Sequence, residues 1–161
     1  MGKIDLENVP VKTGSSYPAP FAAQMGGRGT MRLGDAGGLT QFGANLVILP
    51  PGAQSSLRHY HTVEDEFVMV VAGTVTLIQD AGPIEMTAGE FAAFPAGDTD
   101  GHHFVNRSDS EARFLVVGTR SGREEAFYSD IDMRAVMDGD AITFTRKDGS
   151  PLPPQDTESE T

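Results

Sequence analysis

The chain has 161 residues, 39% of them hydrophobic, a formal charge of −11 and no cysteine. That length suits one domain with a sizeable core and is tight for two, and without thiols any bound metal must take His, Asp, Glu or backbone oxygen. The acidity argues against nucleic acid, and no apolar run is long enough for a signal peptide or a membrane span, so the expectation is a cytoplasmic protein with a small-molecule substrate and neither nucleic-acid nor membrane partners.

Nineteen glycines and ten prolines punctuate the chain, with short β-branched and aromatic runs between them. This pattern predicts an all-β fold. Residues 13–38 are glycine-rich and poor in large apolar side chains, so 1–38 is expected to be an irregular arm packed on the barrel. Strands are predicted over Thr40–Leu49, Ser56–His61, Glu66–Val71, Thr74–Gln79, Pro83–Met86, Phe91–Phe94, His102–Asn106 and Ala112–Gly118, giving a barrel core at 39–120. In 121–149, Glu124–Met137 has mixed periodicity and fits helix or strand, and Ala141–Thr145 reads as a late strand before the Lys147-Asp148-Gly149 turn. Residues 150–161 are acidic and proline-rich, the composition of a disordered tail.

The four histidines fall in two clusters, His59 with His61 and His102 with His103. Strand residues two apart share a face, so His59 and His61 can converge on one point. The Thr62–Asp65 turn leads to Glu66, on a strand expected to pair antiparallel with the first, where a carboxylate can meet both imidazoles. Glu64 and Asp65 belong to the turn and are expected to face water. Only one of His102 and His103 can point inward. Three imidazoles and a carboxylate suit one divalent transition metal (Zn, Fe, Mn or Ni) with positions left open for substrate. Asn45, in phase with Val47 and Leu49, is a candidate pocket residue, as are Gln41, Phe94 and Phe104. Arg58 and Tyr60 are out of phase with the histidines and should point outward. Arg28 and Arg32, in the arm, could reach an anion, with a surface role as the plainer expectation.

Gly52 stands before a six-residue spacer, His59-Tyr60-His61, four residues, Glu66, six residues and Gly73. Gly89 stands before five residues, Pro95-Ala96-Gly97, a spacer, His102, three residues and Asn106. These two motifs resemble those of the cupin superfamily, with the first spacer one residue longer than usual and the spacer after Gly97 two residues longer. The resemblance covers residues 40–118 and implies a double-stranded β-helix (jelly-roll, or cupin, barrel) with an N-terminal arm and a short C-terminal extension. It implies His59, His61, Glu66 and His102 as metal ligands, His102 being favoured over His103 by its spacing to Asn106. It also implies the look of small, sugar-phosphate isomerase-like cupins. An isomerase or epimerase acting on a sugar or sugar phosphate is therefore the first expectation. An iron- or manganese-dependent dioxygenase or lyase is the second, and a non-catalytic small-molecule binding module the third.

The strand from Glu66 carries Phe67, Met69 and Val71 on the face away from the histidines. A strand with a wet face should alternate apolar with polar, and a bare row of this kind is adhesive. Either the arm or a second subunit must cover it, and a homodimer is expected.

Overall fold

The computed structural model describes residues 2–152. The expected tail lies almost wholly outside them. Strands β1 (Val11–Thr13), β2 (Gly29–Arg32) and β3 (Phe42–Leu49) come first, with one helical turn, α1 (Leu33–Ala36), between the last two. Then follow β4 (His59–His61), β5 (Glu66–Ala72), β6 (Thr74–Gln79), β7 (Gly82–Thr87), β8 (Phe91–Phe94), β9 (His103–Val105) and β10 (Ala112–Thr119). The C-terminal part adds β11 (Arg123–Tyr128), β12 (Arg134–Asp138) and β13 (Ala141–Thr145). Among the described residues no helix is long and apolar enough to cross a membrane.

The strands form an all-β jelly roll of two layers. One layer is a six-stranded antiparallel sheet in the order β1-β2-β3-β10-β5-β8. The other consists of β13-β12-β11-β4 and β7-β6-β9. A bridge links these two: His59 and His102 exchange backbone hydrogen bonds of 3.2 and 2.8 Å. Between the layers lie Val47, Leu49, Val68, Val70, Val75, Leu77, Phe104 and Phe114, each in phase with its strand's inner face.

Three expectations change. The strand bearing His59 and His61 does not pair with the one bearing Glu66: β4 pairs β11, and β5 pairs β10 and β8. The link between them is a crossover from one layer to the other, not a hairpin turn. Its amides at Thr62, Val63 and Glu64 donate to the Glu124 carboxylate, so the two strands need no ladder between them. The ambiguous segment 124–137 is a pair of strands, because Glu124, Ala126 and Tyr128 are buried at a period of two. The arm, irregular over much of its length, contributes β1 and β2 to the six-stranded sheet.

The arm also covers part of that sheet's outer face, where Ile4, Val9, Met31 and Leu33 pack with Leu46 and Ile48. It stops short of β5 and β8. There Phe67, Val71 and Phe91 are 45%, 47% and 58% exposed.

Candidate metal centre

His59 and His61 leave β4 on the same side, with their Nε2 atoms 3.2 Å apart. From the opposite layer Glu66, first residue of β5, brings Oε2 to 3.7 Å from His61 Nε2 and Oε1 to 3.0 Å from His102 Nε2. The His102 ring lies 5.3 Å from that of His59. All four residues singled out from the sequence therefore meet. His103 turns the other way and its Nδ1 contacts the Ser56 carbonyl at 2.8 Å.

The rings are held before any ligand arrives. His59 Nδ1 lies 2.8 Å from the Leu57 carbonyl, which can only accept. The proton therefore sits on Nδ1, and Nε2 presents a lone pair to the cluster. Burial pushes His59 down to about 3, with the neighbouring imidazoles adding to the effect, so the ring is neutral near pH 7. Burial works to raise the Glu66 carboxyl, but the His102 hydrogen bond and the surrounding imidazoles outweigh it and hold it below the usual range. Phe94 stacks on His102 with planes 4° apart, fixing that ring's orientation.

These residues fit a divalent ion. The lone pair of His59 Nε2 faces His61 Nε2 at 3.2 Å, and the Glu66 carboxylate completes the set, whereas the unpartnered Nδ1 of His61 lies on the far side of its ring, toward Glu124. Borderline nitrogen and hard oxygen donors in this ratio match first-row metals. A second grouping, His61 with Glu64 and Glu124, has donor atoms within 4.8 Å of one another. Its Glu124 is 2% exposed and already accepts backbone N–H bonds of 2.7, 3.0 and 2.7 Å from Thr62, Val63 and Glu64. Its oxygens are committed to the crossover, which sets the position of His61.

Two cavities meet the cluster. The larger, about 550 Å³, is lined by His59 and His61 and by Lys12, Arg28 and Arg32. The smaller, about 270 Å³, is lined by Asn45, His61, Glu64, Glu66 and Arg120, among others. Asn45 is thus where the sequence put it. Glu64 is not in open water: it lines the smaller cavity, and its Oε1 accepts from the Ser121 amide at 2.7 Å and the Ser121 hydroxyl at 2.9 Å. The other three expected pocket residues line neither cavity, Phe94 being stacked on His102. Gln41 precedes the start of β3 and is exposed. Phe104, 2% exposed, belongs to the core against Phe94 and Phe114.

Arg58 does point away from the imidazoles, yet it is not idle. Its guanidinium ties Asp80 at 2.5 Å to Asp130 at 2.8 Å and so joins two turns. Tyr60 stacks on Phe127. Glu124 escaped the sequence reading, although a charged residue in phase with Ala126 and Tyr128 was the available signal.

Comparison with known proteins places these features in context. A cupin-domain family model matches residues 45–118. Similar solved structures include a sugar phosphate isomerase from a cupin superfamily of Silicibacter pomeroyi, 58% identical over 94% of this chain and 96% of that one, with a TM-score of 0.92. A candidate sugar phosphate isomerase from Acidithiobacillus ferrooxidans is 26% identical over 80% of this chain and 81% of that one, with a TM-score of 0.71. A polyketide cyclase from Streptomyces resistomycificus shares the fold at 23% identity, over 74% of this chain and 79% of that one, with a TM-score of 0.61. No curated protein matches the chain.

Proposed function

The chain belongs to the cupin superfamily, and from that premise we propose that it is a metal-dependent isomerase or epimerase of a sugar or sugar phosphate. The observation that carries this reading is the meeting of His59, His61, Glu66 and His102 beside an open cavity whose wall mixes polar and apolar side chains. The 58% identity to a sugar phosphate isomerase supports the choice of reaction.

In this reading those four residues hold the ion, which when bound supplies a Lewis acid for a carbonyl and its neighbouring hydroxyl. The protein's own work is largely preorganisation. The Leu57 carbonyl fixes the His59 tautomer, Phe94 fixes the His102 plane, and Glu124 holds the crossover beside His61. Proton transfer between adjacent substrate carbons needs a base within reach. Glu64 fills that role here: its carboxylate lines the smaller cavity, rests on a single residue, Ser121, and is reached past His61, which lines both cavities.

The test begins with metal analysis of protein purified without added metal. Candidate aldoses, ketoses and their phosphates are then incubated in deuterated water, and deuterium uptake at the carbon next to the carbonyl is followed by NMR. Isomer formation with deuterium uptake, lost in Glu64→Gln with metal retained, is the expected result. Oxygen consumption without isomer formation would replace this reading with an oxygenase. Tight binding without turnover would make the chain a binding module.

A further inference from the structure

The sequence is strongly acidic, with 23 Asp and Glu against 12 Lys and Arg. The wall of the larger cavity inverts that balance: among the described residues it carries Lys12, Arg28 and Arg32 and not one carboxylate. Backbone geometry explains how. Arg28 directly precedes β2, and Arg28, Thr30 and Arg32 are two apart, so they share one face of the chain. Lys12 on β1 lies directly opposite Thr30 in the ladder, and Arg32 lies opposite Asn45 on β3. Directly opposed residues share a face. The alternate positions face the other way: Met31 joins the outer cluster, and a Cβ on Gly29 would fall 2.8 Å from Val11. The arm therefore lays a cationic row in the wall of the cavity that His59 and His61 also line.

Arg28 is the member without an internal purpose. Arg32 has Asp35 at 3.7 Å. Among the described residues Arg28 makes no ion pair, and its one hydrogen bond is a 3.2 Å contact to the Thr30 hydroxyl. Its Nε is buried with no partner. A guanidinium offers five donors in a planar fork, and leaving a charged group desolvated and unpaired is costly. Nearby hydroxyls of Ser15, Ser16, Ser55 and Tyr17 line the same wall.

We propose that Arg28, with Lys12 beside it, forms a phosphate subsite that holds the phosphate monoester end of the substrate while the other end reaches the imidazole cluster. A phosphate suits the wall better than a carboxylate, because a dianion with three acceptor oxygens can use two cations and hydroxyl donors of the wall at once. This deepens the reading above by fixing the substrate as a phosphorylated one. It rests on that reading only for the identity of the far end.

The full chain, stripped of metal, is titrated calorimetrically with inorganic phosphate, with a hexose phosphate and with the matching hexose. The wild type should bind both phosphates and bind the neutral hexose more weakly. Arg28→Met should weaken both phosphates by about tenfold or more while leaving hexose affinity and later metal uptake unchanged. Arg28→Lys should recover part of the loss. Lys12→Met, at an exposed position, repeats the measurement if Arg28→Met fails to fold. Phosphate affinity unaltered in the neutral variants, or acetate competing as well as phosphate, overturns the subsite. Loss of metal binding in the His59 and His61 variants with phosphate binding intact would support the subsite, and absence of isomerisation beside intact phosphate binding would count against the reaction alone.

Discussion

Replacing Glu124 should cost this protein more stability than a charge on β11 would suggest. The carboxylate is 2% exposed and accepts backbone N–H bonds from three consecutive residues, Thr62, Val63 and Glu64, plus the Thr62 hydroxyl at 3.3 Å. Removing it leaves the Val63 and Glu64 amides without an acceptor, while the Thr62 amide keeps the Glu125 carbonyl at 3.1 Å. Each unsatisfied buried donor costs about 1–3 kcal/mol. Water entering from the neighbouring cavity would satisfy part of the demand, so Glu124→Ala is expected to lose about 2–4 kcal/mol. Against a total of about 5–15 kcal/mol for a domain of this kind, that is a large share. Glu124→Gln is the sharper variant. It keeps the shape and one acceptor oxygen but turns an NH₂ toward amides that need an acceptor, and should cost about 2–3 kcal/mol. Because the three amides lie between His61 and Glu66, both variants should also lower metal affinity, by roughly 10–100-fold. Urea unfolding of metal-free protein gives the first quantity, and competition with a chelator gives the second. A Glu124→Gln protein within about 0.5 kcal/mol of wild type and with unchanged metal affinity would refute the idea that this carboxylate positions the site.

His59→Ala and His61→Ala should each strip the metal while leaving circular dichroism and the melting transition close to those of the metal-free wild type; full metal content in both would refute the ligand set. Gly101→Ala should displace His102, since an added Cβ would fall 2.0 Å from Ser129 Oγ. The overpacking is expected to cost about 1–3 kcal/mol, with Ser129→Gly in the same chain restoring much of it. No such rescue would mean that the clash lies elsewhere. The exposed row of Phe67, Val71 and Phe91, beside an apolar hollow of about 480 Å³ that Phe42, Ala93 and Val117 also line, predicts self-association through β5 and β8. Sedimentation at micromolar concentration should show a dimer that Met69→Glu dissociates, and a monomeric wild type would refute this.

Much of the site was legible in the sequence because it depends on local periodicity. Two residues apart on a strand means one face, so His59 with His61, and Glu66 with Val68 and Val70, were oriented before any partner strand was known. Turn glycines and prolines marked where strands stop for equally local reasons. Which strands meet is a different matter, since pairing is decided by burial and hydrogen bonding across the whole sheet. Tertiary structure moved Glu66 from the strand beside the histidines to the layer facing them. It set His102 against Glu66 and His103 against Ser56. It took Phe104 into the core and brought Glu124, some sixty positions on, under the crossover. It also turned an arm poor in apolar residues into two strands of the six-stranded sheet, β1 at its edge and β2 between β1 and β3. Nothing within that segment shows that Arg28 and Lys12 share a wall with His59, because the alignment exists only once β1 pairs β2 and β2 pairs β3.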